Sequence, residues 1–320
     1  MSAPETLSIV IPVFNEQDVL EEMLTRTLAV ADALPEKVEI ILVDDGSVDR
    51  SMGIISEAAE KHPERVVGVI LNRNYGQHAA VMAGFARSRG EWVVTLDADL
   101  QNPPEEIPKI VEKLREGFDV VGSIRVPRED SFFRRMASQI VNKTVRKSTG
   151  VGMRDYGCML RGYRRRIITA MLACQERSTF IPVLANSFAR KVTEVEVRHE
   201  ARPTGKSRYG FLKLVNLQFD LLTSITTAPL RLLMMFGTVI CALGGGLGVL
   251  LLVLRLIYGP EWAVEGVFTL FAVLFMLVGL QFIGMGLLGE YIGRIYTDVR
   301  GRPRYYVEEN LGRGIEGDAP

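Results

Sequence analysis

The sequence predicts an α/β domain built on a mainly parallel sheet and followed by two transmembrane helices. Three observations predict it. Apolar strand-like runs alternate with helical stretches early in the chain, a polar and often acidic segment follows each run, and two long uncharged stretches lie near the C-terminus.

The strands are expected at residues 7–13, 39–43, 66–72 and 92–96, where nearly continuous Val, Ile and Leu suit a sheet covered on both faces. Between them, residues 19–33, 51–61 and 78–88 carry helical spacing, and residues 105–115 form a further helix after Pro103 and Pro104 stiffen its entry. A βαβα order makes the sheet mainly parallel, and in such sheets ligands gather at the carboxyl ends of the strands. The polar segments 12–16, 44–49, 73–78 and 97–102 fall at those ends. Ser47 or Asp49 is suited to cap the helix that follows, which explains one side chain but not the adjacent Asp44 and Asp45. Asp97-Ala-Asp99 directly follows an apolar strand. Two carboxylates this close repel unless a divalent cation or a donor lies between them, so the pair reads as a metal site for a diphosphate, with the Gln101 carbonyl as a further hard ligand.

Charge is distributed unevenly. The 320 residues carry 38 basic and 38 acidic side chains, which excludes global binding to nucleic acid. Residues 1–120 hold 11 basic against 22 acidic residues, whereas residues 125–166 hold 12 basic against 3 acidic. The second segment reads as a basic face for phosphates or anionic headgroups, or else as an ordinary solvated surface. Residues 131–145 and 209–222 are amphipathic with basic flanks, which suits helices lying in a membrane interface or packing against the α/β domain.

Residues 232–254 and 266–289 contain no charge, and at ~1.5 Å per residue each spans a ~30 Å hydrocarbon core. A mean hydropathy of +0.15 agrees with a lipid-contacting chain. Lys213 and Arg231 precede the first span and Arg294, Arg300, Arg302 and Arg304 follow the second, so both ends are expected in the cytoplasm. Gly244, Gly245, Gly246, Gly248, Gly284 and Gly286 suggest close helix packing. Cys158, Cys174 and Cys241 form no Cys-x-x-Cys pair, three histidines are too few for a zinc cluster, and the short polar N-terminus is no signal peptide. Free thiols in a reducing cytoplasm are expected. The organisation is then a core of residues 1–130, an acceptor and interface region 131–230, a two-helix hairpin 231–294 and a cytoplasmic tail 295–320.

Ile11-Pro-Val-Phe-Asn-Glu16, Val43-Asp-Asp-Gly-Ser47, Asn72-Arg-Asn-Tyr-Gly-Gln-His78 and Leu96-Asp-Ala-Asp-Leu-Gln-Asn-Pro-Pro104, followed by two spans, make the chain resemble the family-2 glycosyltransferases. The resemblance is to their GT-A (Rossmann-like) fold, in the branch that moves a sugar from a nucleotide to a polyprenyl phosphate, and covers almost the whole chain. Asp155-Tyr-Gly-Cys-Met-Leu-Arg161, Glu176-Arg-Ser-Thr-Phe-Ile-Pro182 and Gly284-Met-Gly-Leu-Leu-Gly-Glu-Tyr-Ile-Gly-Arg294 narrow it to members that place 4-deoxy-4-formamido-L-arabinose on undecaprenyl phosphate, for lipid A modification and polymyxin resistance.

The resemblance implies a UDP-sugar donor contacted by Pro12, Glu16 and Asp44, with Asp45 and Arg73 also in the donor site. It implies Mg²⁺ or Mn²⁺ held by Asp97, Asp99 and Gln101, and a lipid acceptor at the inner membrane. It places Asp155 near the reacting centre, as sugar orienter, stabiliser of an oxocarbenium-like centre or base; a structural salt bridge to Arg154 or Arg161 is the alternative. Asp99, Asp155 and Arg202 are the catalytic candidates, and Arg125, Arg128, Arg202 and Lys206 the cations for diphosphate or acceptor phosphate. Arg177, Ser178 and Thr179 are candidates for reading the sugar. The family's Arg-x-x-Gly-x-Ser-Lys-Tyr segment stands here as Arg202-Pro-Thr-Gly-Lys-Ser-Arg-Tyr209, with Arg208 in place of Lys. Inversion at the anomeric carbon and a homotetramer are further implications. A polyprenyl-phosphate glucosyl- or mannosyltransferase shares this chemistry and is the alternative. A processive synthase is disfavoured because no Gln-x-x-Arg-Trp motif is present, and a non-catalytic membrane scaffold because neither span holds an ionisable residue.

Overall fold

A computed structural model describes residues 6–126, 153, 155–174, 180–200, 228–258 and 267–314. The chain divides into two compact units, Met1–Gln218 with Arg302–Pro320, and Phe219–Gly301.

The first unit is built on an eight-stranded sheet. Four βα units come first: β1 (Thr6–Val13), α1 (Leu20–Ala33), β2 (Lys37–Asp44), α2 (Ser51–Lys61), β3 (Val66–Leu71), α3 (Gln77–Arg87), β4 (Trp92–Thr95), then a 3₁₀ turn (Pro104–Glu106) and α4 (Ile107–Arg115). These match the expected elements within a few residues. β5 (Val120–Val126), β6 (Arg161–Arg164), α5 (Arg165–Ala173), α6 (Ile181–Phe188), β7 (Val192–Arg198) and β8 (Val307–Leu311) follow. The strand order is β7-β5-β6-β4-β1-β2-β3-β8. β4, β1, β2 and β3 run parallel, β6 runs antiparallel to β4 and β5, β7 is parallel to β5, and β8 is antiparallel to β3. The two reversals at β6 leave β5 and β7 pointing the same way as β1–β4, so six carboxyl ends share one edge.

Alternation along the strands sorts the core into two faces. Ile9, Ile11, Ile40 and Leu42 pack with Leu20, Met23, Ile55, Ile107 and Ile110 of α1, α2 and α4. Val10, Ile41 and Val43 pack on the opposite face with Val81 and Phe85 of α3, Ile168 of α5 and Leu184 of α6.

The four arginines of residues 161–166 in the basic segment serve the fold and not a phosphate face. Arg161 is fully buried, and its guanidinium donates to the Cys158 and Asp155 carbonyls at 2.8 and 2.7 Å. Arg164 donates to the Phe118 and Leu114 carbonyls, Arg165 to the Gly90 carbonyl and the Ser88 hydroxyl, and Arg166 pairs with Asp119. These cations tie α4, the 88–90 loop and the start of β5 to the β6–α5 segment. The amphipathic stretches 131–145 and 209–222 lie outside the described residues.

The expected C-terminal tail contains β8, which covers the β3 edge. Arg313 and Gly314 donate backbone N–H groups to the Pro63 carbonyl, and the Arg87 guanidinium reaches the Arg313 carbonyl at 2.8 Å. Cys158 and Cys174 are free thiols, as expected.

The second unit contains two long helices, α7 (Ala228–Tyr258) and α8 (Val267–Val299). Within them Leu232–Tyr258 and Met276–Val299 are long and apolar enough to cross a membrane. α8 continues ten residues past the uncharged stretch. A Cβ on Gly284 would lie 3.2 Å from Leu233, so this glycine does serve a helix contact. Gly244, Gly246 and Gly286, for which the same role is expected, have open space beside them.

Candidate active site

The chemistry-bearing side chains collect along the shared carboxyl edge of the sheet. β1 and β2 pair in register with Val13 opposite Asp44, which brings their exits together. The two exit loops are then laced reciprocally. Asn15 donates its backbone N–H to the Ser47 hydroxyl and accepts from the Val48 N–H, while Gln17 donates to Asp49 and accepts from the Arg50 N–H. Asp49 also accepts from the Ser51 N–H at 2.9 Å, which satisfies the first amide of α2, although the N-cap position is Arg50 and neither Ser47 nor Asp49 occupies it. The lacing fixes Pro12, half-buried at the end of β1, and Glu16, half-buried where its carbonyl opens α1 and its N–H donates to the Ser51 hydroxyl.

Asp44 and Asp45 are both buried but do different work. Burial pushes the Asp44 carboxyl up, against opposing hydrogen bonds from Ser47. Burial raises Asp45 too, but its two oxygens accept the Tyr75 and Gly76 N–H groups at 2.7 and 2.9 Å. Asp45 therefore fixes the β3–α3 loop. Gly46 completes the clamp. At φ 68° it lies so close to Arg73 that a Cβ would sit 2.4 Å from the Arg73 carbonyl carbon. Gly46→Ala is expected to lower the melting temperature by roughly 4–8 °C, since left-handed backbone costs ~1–2 kcal/mol before any backbone shift. A wild-type melting curve would contradict that clamp. Arg73 itself is exposed, with its guanidinium 4.8 Å from the centre of the Tyr75 ring.

Beyond β4, Asp97 and Asp99 are partly accessible while Ala98 and Leu100 between and beside them are buried in the core. Leu100 adopts φ 59°, uncommon for a residue with a Cβ. The burial of its side chain holds the turn, which carries Asp99 and Gln101 to the outside; Asp99 accepts from the Gln101 N–H at 3.1 Å. The Asp97 carboxyl is pushed up to about 7, chiefly by burial and then by the charge of Asp99, with Arg125 and a hydrogen bond from Gln77 acting against them. The donor set fits a hard divalent cation, because both side chains offer oxygen and a cation relieves the repulsion that raises Asp97. Gln101, phosphate oxygens and water are further oxygen ligands available to such a cation.

Arg125 at the end of β5 reaches Asp155, just before β6, in a two-pronged pair with N···O distances of 2.7 and 3.0 Å. The Gly157 N–H donates to the same carboxylate at 3.0 Å, and the Asp155 N–H donates to Glu194 of β7. Asp155 thus has a salt bridge, and among the described residues Arg125 provides it. Arg161 contacts only its carbonyl oxygen, and Arg154 lies outside the described residues. His199, directly after β7, is a member that sequence reasoning missed. Burial and the nearby Arg125 push its imidazole below the usual range, opposed by Asp99 and Asp155, and its Nδ1 is buried without a hydrogen-bond partner. The only signal for it was position, since recognising residues 192–198 as a strand would have put His199 at a carboxyl end. Arg128, Arg177, Ser178, Thr179, Arg202 and Lys206 lie outside the described residues.

A family model described as glycosyl transferase family 2 matches residues 8–172, a span that contains the Asp44, Asp97, Asp99, Arg125 and Asp155 positions. The chain belongs to this family. Its similarity to undecaprenyl-phosphate 4-deoxy-4-formamido-L-arabinose transferases runs nearly end to end. The Edwardsiella ictaluri (strain 93-146) protein is 60% identical over 312 residues, covering 98% of this chain and 96% of that protein. The Shewanella sediminis (strain HAW-EB3) protein is also 60% identical, over 97% and 94%. Among solved structures, mannosyl-3-phosphoglycerate synthase from Rubrobacter xylanophilus superposes with a TM-score of 0.52 at 15% identity, covering 71% of this chain and 74% of that one. Glucosyl-3-phosphoglycerate synthase from Mycobacterium tuberculosis in complex with phosphoglyceric acid gives 0.50 at 18%, covering 69% and 80%. The mixed α/β sheet is thus that of the GT-A glycosyltransferases.

Proposed function

We propose that this enzyme transfers 4-deoxy-4-formamido-L-arabinose from its UDP donor to undecaprenyl phosphate, with inversion, at the cytoplasmic face of the bacterial inner membrane, for lipid A modification and polymyxin resistance. The observation that carries the reading is the 60% identity to transferases of that name over nearly the full chain. The Asp97–Asp99 pair with Arg125 beside it supports the reaction class.

Bound at Asp97 and Asp99, Mg²⁺ or Mn²⁺ supplies Lewis-acid neutralisation of the departing diphosphate. The protein's own groups do the rest. A lipid phosphate oxygen is already largely anionic near neutral pH and needs little help from a general base, so holding and orienting it is the main task. Arg125 brings a fixed positive charge to the same edge, and Asp155 keeps that guanidinium in one orientation instead of letting it swing. Asp155 acts in this scheme as an orienting group. On sequence grounds Arg128, Arg202 and Lys206 complete the cationic lining, and Pro12, Glu16 and Asp44 hold the uridine. β8, after the second helix, pairs with β3, before the first. Strands of one sheet lie on one side of a membrane, which supports a hairpin with both ends on the same side; the flanking Lys213, Arg231, Arg294, Arg300, Arg302 and Arg304 favour the cytoplasm.

The test is product formation by the purified full chain in detergent with undecaprenyl phosphate and Mn²⁺, comparing the UDP derivatives of 4-formamido-arabinose, glucose and N-acetylglucosamine. Selective transfer of the formamido sugar, abolished by EDTA, is expected. Preference for glucose would move the enzyme to the glucosyltransferase alternative.

A further inference from the structure

Asp97 has a partner that the cation reading does not use. The side-chain amide of Gln77 donates to Asp97 Oδ1 at 2.6 Å. Gln77 is exposed at the first position of α3 and adds nothing to the core, which that helix fills with Ala80, Val81 and Phe85. Its location follows from the preceding loop. Asp45 holds the Tyr75 and Gly76 N–H groups, the Tyr75 hydroxyl donates to Asn72 at 2.8 Å, and Gly76 at φ 93° turns the chain into the helix. The loop is thereby anchored one residue before Gln77, on a carboxylate belonging to a different strand end.

The chemistry fixes the direction of the contact. In the ionised form that binds a cation the carboxylate only accepts, so the amide nitrogen faces Asp97. With one lone pair of Oδ1 engaged, the carboxylate loses its freedom to rotate, which sets how its remaining lone pairs meet a hard cation. Outer partners of this kind set the orientation and basicity of metal ligands.

We propose that Gln77 is the positioning residue of Asp97, and that Asp45 acts on the cation through Gln77 by fixing the loop that delivers the amide. The proposal rests on the reading of Asp97 and Asp99 as the cation site, and it couples the strand end assigned to the nucleoside with the one assigned to the diphosphate.

The experiment is a Mn²⁺ titration of the full chain in detergent at saturating UDP, followed by electron paramagnetic resonance, for wild type, Asp97→Asn, Gln77→Leu, Asp45→Asn and the Asp45→Asn/Gln77→Leu double variant. Gln77→Leu is expected to weaken Mn²⁺ binding about 10–100-fold and to alter the spectrum of the bound ion. Metal-free UDP affinity and melting temperature should stay at wild-type values. The double variant should bind Mn²⁺ no more weakly than the weaker of the two single variants, because both substitutions act through one contact. Wild-type Mn²⁺ affinity in Gln77→Leu, alongside lost binding in Asp97→Asn, would overturn the role of Gln77. Additive losses in the double variant would overturn the route from Asp45. Undiminished binding in Asp97→Asn would overturn the cation site itself, and the proposal with it.

Discussion

Replacing Asp99 by asparagine is expected to lower sugar transfer about 10³-fold or more while leaving the fold and membrane insertion intact, and Asp97→Asn to do the same. Both side chains are partly accessible at a turn, so an isosteric amide removes charge without opening a cavity. What is lost is one charge of a carboxylate pair in which burial first, and then the charge of Asp99, raises Asp97 to about 7. The same pair predicts a pH dependence. Below pH 7 the Asp97 carboxyl holds a proton that a cation must displace, so Mn²⁺ affinity should fall about tenfold per pH unit below 7 and level off above it. Calorimetric titrations at pH 6, 7 and 8 would show this, and an affinity independent of pH would contradict the assignment of Asp97. Wild-type transfer by either asparagine variant would remove the case for metal-dependent chemistry at this turn.

Arg125→Ala is expected to cost more than one surface charge. Asp155 is 2% exposed and Arg125 only partly so, and removing one partner of a buried pair weakens the compensation of the other, at ~3–5 kcal/mol where a fully buried pair is broken outright and less here, where the Gly157 N–H also serves the carboxylate. A melting temperature lower by several degrees and transfer reduced about 10²-fold are the expected results. Arg125→Lys keeps the charge but not the two-pronged grip, and should fall between wild type and Arg125→Ala. The double variant Arg125→Ala/Asp155→Asn separates the two effects. It should recover much of the stability, since the stranded charge is gone, and recover none of the activity. Recovery of activity in the double variant would show that Arg125 serves the fold alone.

The first four βα units were legible because each announces itself locally, by continuous apolar runs for strands covered on both faces and by helical spacing between them. Later elements were not. β6 is four residues long with an arginine at each end, and Arg161 is buried there because carbonyls from a neighbouring loop satisfy it. Nothing in Arg-Gly-Tyr-Arg announces that environment, and a run of arginines reads as a phosphate face until the acceptors appear. β8, Val-Glu-Glu-Asn-Leu, looks like a polar tail because only one edge of it pairs, with a strand 240 residues earlier.

The site divides along the same line. Sequence by itself determined that acidic residues stand at strand ends, that Asp97 and Asp99 share one turn, and that two stretches are long enough to span a bilayer, since each follows from a few neighbouring residues. Only the tertiary structure decided that Asp45 fixes the β3–α3 loop while Asp44 turns back to Ser47, that Asp155 grips Arg125, and that Gln77 and His199 stand near the carboxylates. Apart from the local Asp44–Ser47 contact, each of these rests on a contact between segments about 20 to 100 residues apart, set by the order in which strands enter the sheet, and local composition carries no record of that order.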